Sequence, residues 1–120
     1  MPPSTINLAE KLSLFNEQWS PKIIAPFENF HFKLAKWEGE FVRHSHSVSD
    51  EAFLVLEGTL RLDFRDGAVT LSKGELLMVP QGMEHKPFAE KECQVLVRAG
   101  TVNTEDAPPS NRTTDPAAST

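Results

Sequence analysis

Residues 39–58 read GEFVRHSHSVSDEAFLVLEG: two histidines one residue apart, a polar stretch, a glutamate, then AFLVL, with glycine at either end. Side chains alternate faces along a β-strand, so His44 and His46 project the same way and can share one ion. Glu51 stands at an odd offset from His46, but the turn-like Ser47-Val48-Ser49-Asp50 resets the phase. Glu51 can therefore open the next strand facing the same interior. AFLVL (52–56) is apolar on both faces, so that strand has to be covered on both sides. One cover is the interior of a barrel. The other is an amino-terminal helix or a second subunit, and a homodimer is the preferred expectation.

The same alternation of short strands and turns extends outward in both directions. Residues 22–27 and 29–37 are short runs bounded by Pro26 and Gly39, and in the second Phe30, Phe32 and Leu34 alternate with His31, Lys33 and Ala35. Strands are expected at 41–46, 52–56, 60–64, 68–71, 75–79, 85–88 and 92–99. Between them fall Arg65-Asp66-Gly67, where Asp-Gly signals a hairpin, then Lys73-Gly74 and Pro80-Gln81-Gly82. Short strands with frequent turns predict an all-β sandwich or barrel. Upstream, Thr5 precedes INLAEKLSLFNEQW, whose Ile6, Leu8, Ala9, Leu12, Phe15 and Trp19 share one helical face until Pro21 stops the run. The expected organisation is an amino-terminal helical arm (1–20), a β-barrel domain (21–100) and a flexible polar tail (101–120). In the tail only Val102, Ala107, Ala117 and Ala118 are apolar, too little to offset the entropy of ordering it.

Composition removes several function classes. A chain of 120 residues fits one domain. Net charge is −5 and no basic run exceeds two residues, which argues against nucleic acid and against anionic membranes. Cys93 is the single cysteine, so no internal disulfide forms. No apolar stretch approaches the ~20 residues of a membrane span, and MPPSTINLAEKL lacks a signal pattern. The expected location is the cytoplasm.

His85 arrives from a later strand, just past Pro80-Gln81-Gly82. Three imidazoles and one carboxylate form a mixed N/O set suited to one divalent first-row metal such as Fe, Mn, Ni, Zn or Cu. Here the residues resemble a known family. Gly39-EFVR-His44-Ser45-His46-SVSD-Glu51-AFLVLE-Gly58 is similar to the first cupin motif. Gly74-ELLMV-Pro80-Gln81-Gly82-ME-His85 is similar to the second, with fifteen residues between Gly58 and Gly74. Within that superfamily the chain resembles the small single-domain members often labelled mannose-6-phosphate-isomerase-like. The resemblance implies a jelly-roll β-barrel open at one end, with His44, His46, Glu51 and His85 as metal ligands. Two positions depart from the pattern: four residues rather than five separate Gly39 from His44, and Ala89 stands where asparagine is common. Both departures bear on subtype and leave the ligands in place.

Other polar residues receive ordinary roles. His31 is expected at the surface or rim, Trp19 and Trp37 in the core or an interface, and Cys93 as an inert buried thiol. Glu84 and Lys86 are expected in solvent, and Arg61 and Asp63 on an exposed charged face. With the four ligands set aside, no further ionisable residue is assigned to the interior, and the chain has no tyrosine. The metal would then do most of the chemistry. The leading expectation is a metal-dependent enzyme on a small polar or enolisable organic molecule, of dioxygenase, isomerase or lyase type. Val42, Phe53, Val55, Met78 and Met83 would wall its pocket. The alternatives are a non-catalytic protein binding a small sugar-acid-like ligand through the metal, and a purely structural metal. Truncation after Gly100 should leave the thermal midpoint nearly unchanged by calorimetry; a large drop would show that residues 101–120 pack on the domain.

Overall fold

The computed structural model describes residues 2–41 and 49–100, and of residues 99 and 100 the backbone alone. One short helix, α1 (Leu8–Leu12), precedes seven strands: β1 (Lys22–Phe27), β2 (Phe30–Glu40), β3 (Glu51–Glu57), β4 (Thr59–Phe64), β5 (Gly67–Ser72), β6 (Leu76–Val79) and β7 (Lys86–Gly100). The all-β expectation holds, and the strands form one antiparallel sheet folded over on itself as a jelly roll. Residues 42–48, with the strand expected at 41–46, and the tail at 101–120 lie outside the described residues.

The sheet is organised by β7. Its carboxy-terminal half lies between β2 and β3, while its first residues pair with β4. The chain thus contributes one strand of fifteen residues where the sequence suggests two, 85–88 and 92–99. The polar Glu90-Lys91-Glu92 segment is a corner in a continuous strand, not a break. There the register against β2 slips, from Trp37 opposite Cys93 to Gly39 opposite Ala89. Such an irregularity bends a strand and lets it pass from one layer to the other.

Around β2 and β3 both sheet faces are buried, for different reasons. Inside, Ala35 and Trp37 from β2, Phe53 and Val55 from β3, Leu60 and Leu62 from β4, Leu71, Val79, Val95 and Val97 form the main core. Outside, Leu34 packs with Leu12, Phe15 and Ile24, and half-buried Leu56 and Leu96 join them. The arm therefore supplies part of the second cover that AFLVL requires. It does so with less helix than the apolar stripe suggests. α1 has five residues, is capped by Asn7 rather than Thr5, and ends where Ser13 Oγ donates to the Glu10 carbonyl. Burying a Leu or Phe contributes about 1.5–3 kcal/mol, against about 1–2 kcal/mol to fix each residue's backbone. Leu12 and Phe15 alone cannot hold a long arm. Point contacts add to them: Lys36 Nζ donates to the Phe15 carbonyl at 2.7 Å, and Lys22 pairs with Glu17 at 2.7 Å. The cover stops short of the β6 edge, where Leu76 is 61% and Met78 52% exposed.

Gly58 joins β3 to β4 where the chain crosses between layers. Its φ is +84°, and an added Cβ would meet the Glu92 carbonyl oxygen at 3.0 Å and Cys93 at 3.1 Å. The position needs both left-handed backbone and the absence of a side chain. Replacing Gly58 by Ala should cost about 1–3 kcal/mol and lower the midpoint of thermal unfolding by several degrees; an unchanged midpoint would mean the β7 corner yields freely.

Candidate functional site

Glu51 opens β3 opposite Val79, the last residue of β6. The next turn is fixed against it. Gln81 N–H donates to Asp50 Oδ1 at 2.9 Å, and Met83 N–H donates to the Pro80 carbonyl at 3.1 Å across Gly82. Gly82 sits at φ +79°, the conformation a type II turn requires at its third position. This turn delivers His85 to the interior, where it is 1% exposed. The ring's Nδ1 lies 3.0 Å from the Met83 carbonyl, and a carbonyl only accepts, so Nδ1 carries the proton. Nε2 is thereby turned towards Glu51 Oε1, 3.2 Å away. Phe53 and Phe64 hold the plane of the ring at centroid distances of 5.8 and 6.5 Å.

Of the four expected ligands, the structure brings Glu51 and His85 together at one end of the barrel. His44 and His46 lie outside the described residues, as does Val42. Among the described residues no group of three or more His, Cys, Asp or Glu side chains could hold a metal. The expected pocket wall is changed at two positions. Phe53 and Val55 face the interior, but the register sets Met78 opposite Ala52, on the outer face, and turns Leu77 and Val79 inward instead. Met83 is 44% exposed, and it serves the site through its carbonyl rather than its side chain.

A larger correction concerns β2. Its interior row is His31, Lys33, Ala35 and Trp37, and the row of Phe30, Phe32 and Leu34 faces out beneath the arm and the edge. Alternation separates the two faces of a strand but does not say which meets the lumen. Lys33, which the sequence reading leaves out of the interior, is 6% exposed and sits opposite Val97, itself opposite Phe53. Glu51 is the next interior position along β3. Burial holds the Lys33 ammonium below the usual lysine range, and the Glu51 carboxylate acts in the opposite sense. His31 belongs to the same row and is half-buried at its end. Its Nδ1 is buried with no hydrogen-bond partner among the described residues, and burial first, then Lys33, lowers its pKa. The signal for both was Trp37, which continues the His31–Lys33 row and is a core aromatic.

The remaining polar residues behave as the sequence suggests. Arg61 pairs with Asp63 at 2.8 Å on the outer face and lies over Phe88. Glu84 is half-exposed and pairs with Arg65, and Lys86 reaches Glu40. Gln94 and Arg98, whose side the alternation alone leaves open, point away from the lumen, Arg98 stacking on Phe27 and Phe30. No described helix is long and apolar enough to cross a membrane.

Residues 30–98 match the family described as Cupin domain, and the chain belongs to it. A cupin-2 domain containing protein from Shewanella frigidimarina NCIMB 400 is 49% identical, with a TM-score of 0.77, covering 79% of this chain and 93% of that one. Protein NMB1881 from Neisseria meningitidis is 34% identical with a TM-score of 0.75, covering 82% and 100%. The uncharacterized protein YdbB of Bacillus subtilis (strain 168) is 42% identical over 55 residues, 45% of this chain and 49% of YdbB. The chain thus spans about half the length of that curated relative.

Burial pushes the Cys93 thiol up to about 11, and the residue is fully buried. The thiolate is the reactive form, so Cys93 should resist a thiol-specific disulfide reagent at pH 8 in the native protein and react fully in denaturant. Fast native labelling would place it at an accessible surface.

Proposed function

We propose that the protein is a metal-binding cupin in which Glu51 and His85, with His44 and His46, hold one divalent transition metal. We further propose that it acts as a metal-dependent enzyme on a small polar or enolisable organic molecule, by oxygenation, isomerisation or elimination. The observation that carries the metal reading is the pair at the end of the barrel. His85 Nε2 and Glu51 Oε1 stand 3.2 Å apart, with Nδ1 tied to the Met83 carbonyl. Two ligand atoms about 2.1 Å from a common ion stand roughly 3.0–3.4 Å apart at octahedral to tetrahedral angles, so the spacing fits shared coordination. A backbone acceptor on the far ring nitrogen is also the usual support of a ligating histidine.

A bound metal would supply Lewis acidity beside a carbonyl or a water molecule. The chain's own residues supply the rest. Phe53, Val55, Leu77 and Val79 exclude water from the lumen, Phe53 and Phe64 orient the imidazole, and Lys33 adds positive charge opposite Glu51. A second copy of the chain would fit the uncovered strip of Leu76 and Met78, completing the outer cover of β3.

Elemental mass spectrometry of purified protein should find about one ion per chain. His85→Ala and His46→Ala should each lose most of it while keeping β-rich circular dichroism. Full occupancy in either variant removes that residue from the ligand set. A metal-free wild type after reconstitution with Mn, Fe, Ni and Zn would reduce the pair to an ion pair within the fold.

A further inference from the structure

The interior row of β2 carries two polar groups that the metal reading leaves unused. Lys33 is more than nine-tenths buried, and the charged group that acts on its ammonium is Glu51, two strands away. His31, two residues away on the same face, buries a ring nitrogen with no partner among the described residues. Lys33 is buried, His31 is half-buried with its Nδ1 turned inward, and neither closes a structural network. Lysines elsewhere on this strand and its neighbour are treated differently: Lys36 donates to the Phe15 carbonyl and Lys22 pairs with Glu17. Burying an ammonium without a carboxylate at contact is costly, so its retention needs a reason.

The strand register gives that reason a place. Lys33, Val97 and Phe53 form one row across β2, β7 and β3, and His31 falls in the next row towards the Glu51 end. Neighbouring strands lie about 4.8 Å apart, so Lys33 and Glu51 stand on the same wall of the lumen, two strands apart across β7. An anion between them would meet the ammonium on one side and the metal-binding pair on the other. Glu51 repels such a ligand unless its own charge is neutralised, which a divalent cation would do.

We propose that Lys33 is the anion-binding residue of the lumen, assisted by His31, and that the ligand of the site is a small carboxylate. This rests on the reading of the Glu51–His85 end as a metal site and adds the substrate class to it. Lys33 sets specificity: a neutral sugar or alcohol leaves the ammonium without a partner, whereas a carboxylate satisfies it. His31 offers one more hydrogen bond to the same group. The role differs from metal binding and is lost separately from it.

The probe is oxalate, titrated calorimetrically into wild type, Lys33→Met and Lys33→Arg, with the metal content of every sample measured. Lys33→Met is close to isosteric and should keep the metal of the wild type while binding oxalate at least tenfold more weakly. Lys33→Arg, which keeps the charge, should recover most of the affinity. In parallel, 15N-lysine-labelled wild type should show the Lys33 Nζ resonance moving on addition of oxalate, a measurement that needs no variant to fold. Equal oxalate affinity in wild type and Lys33→Met overturns the proposal, as does a fall in thermal stability with affinity intact, the mark of a structural lysine. A wild type that neither binds oxalate nor moves the Nζ resonance overturns it too. If the samples hold no metal yet the resonance moves, the metal reading fails and Lys33 stands as an anion site without it.

Discussion

β7 has to serve two layers at once, and most of the structure follows from that requirement. Its residues 94–98 lie between β2 and β3, and its first residues lie beside β4, so the strand turns a corner near Glu90–Cys93. Three irregularities gather at that corner. The β2 ladder slips between Trp37 and Gly39, the β3 ladder slips between Val55 and Glu57, and Gly58 brings its backbone against Glu92 and Cys93. A bulge adds twist to a strand, and two of them beside the close approach at Gly58 let a single antiparallel sheet close over its own face. The apolar side chains of β2, β3 and β7 are thereby faced by Leu60, Leu62 and Leu71 of β4 and β5.

The same closure positions the candidate site. β3 starts, β6 ends and the residue before β7 emerges at one end of the lumen, which brings Glu51, Val79 and His85 into proximity although they are distant in sequence. Asp50 strengthens this by accepting from Gln81, so the turn that carries His85 is tied to the residue next to Glu51. Among the described residues the site is therefore built on strand ends, and the His85 ring is held by core aromatics. Such support keeps the Glu51 and His85 side-chain atoms in a fixed relation to each other.

Much of this was legible in the residues. The AFLVL run demanded two covers, and it has the core on one side and the arm's Leu12 and Phe15 on the other through Leu56. The Asp-Gly hairpin and the turns at Gly74 and Gly82 fall where the pattern put them. What escaped was phase. Within β2 the polar-looking row faces the lumen, and within β6 the inward residues are Leu77 and Val79 rather than Met78. A period of two names two faces and leaves open which is inside; only the partner strands decide. Helix length escaped for a related reason: the stripe from Ile6 to Trp19 fits a helix, but extended chain after Ser13 seats Phe15 under Lys36 and Trp19 against Trp37.

The reversed phase of β2 also changes what the lumen can do. An interior lined by apolar residues and metal ligands alone would recognise any small chelator of the right size, and discrimination would rest on fit, where one methylene is worth only about 1–3 kcal/mol. A buried ammonium alters that balance, because a ligand unable to satisfy it leaves a desolvated charge behind. Placing Lys33 two strands from Glu51, rather than beside it, prevents the two from closing into a tight ion pair. The Lys33 ammonium thus stays available to something that enters beside the Glu51–His85 pair. The arrangement that the bare alternation of β2 hides is the one that gives this barrel a chemical preference.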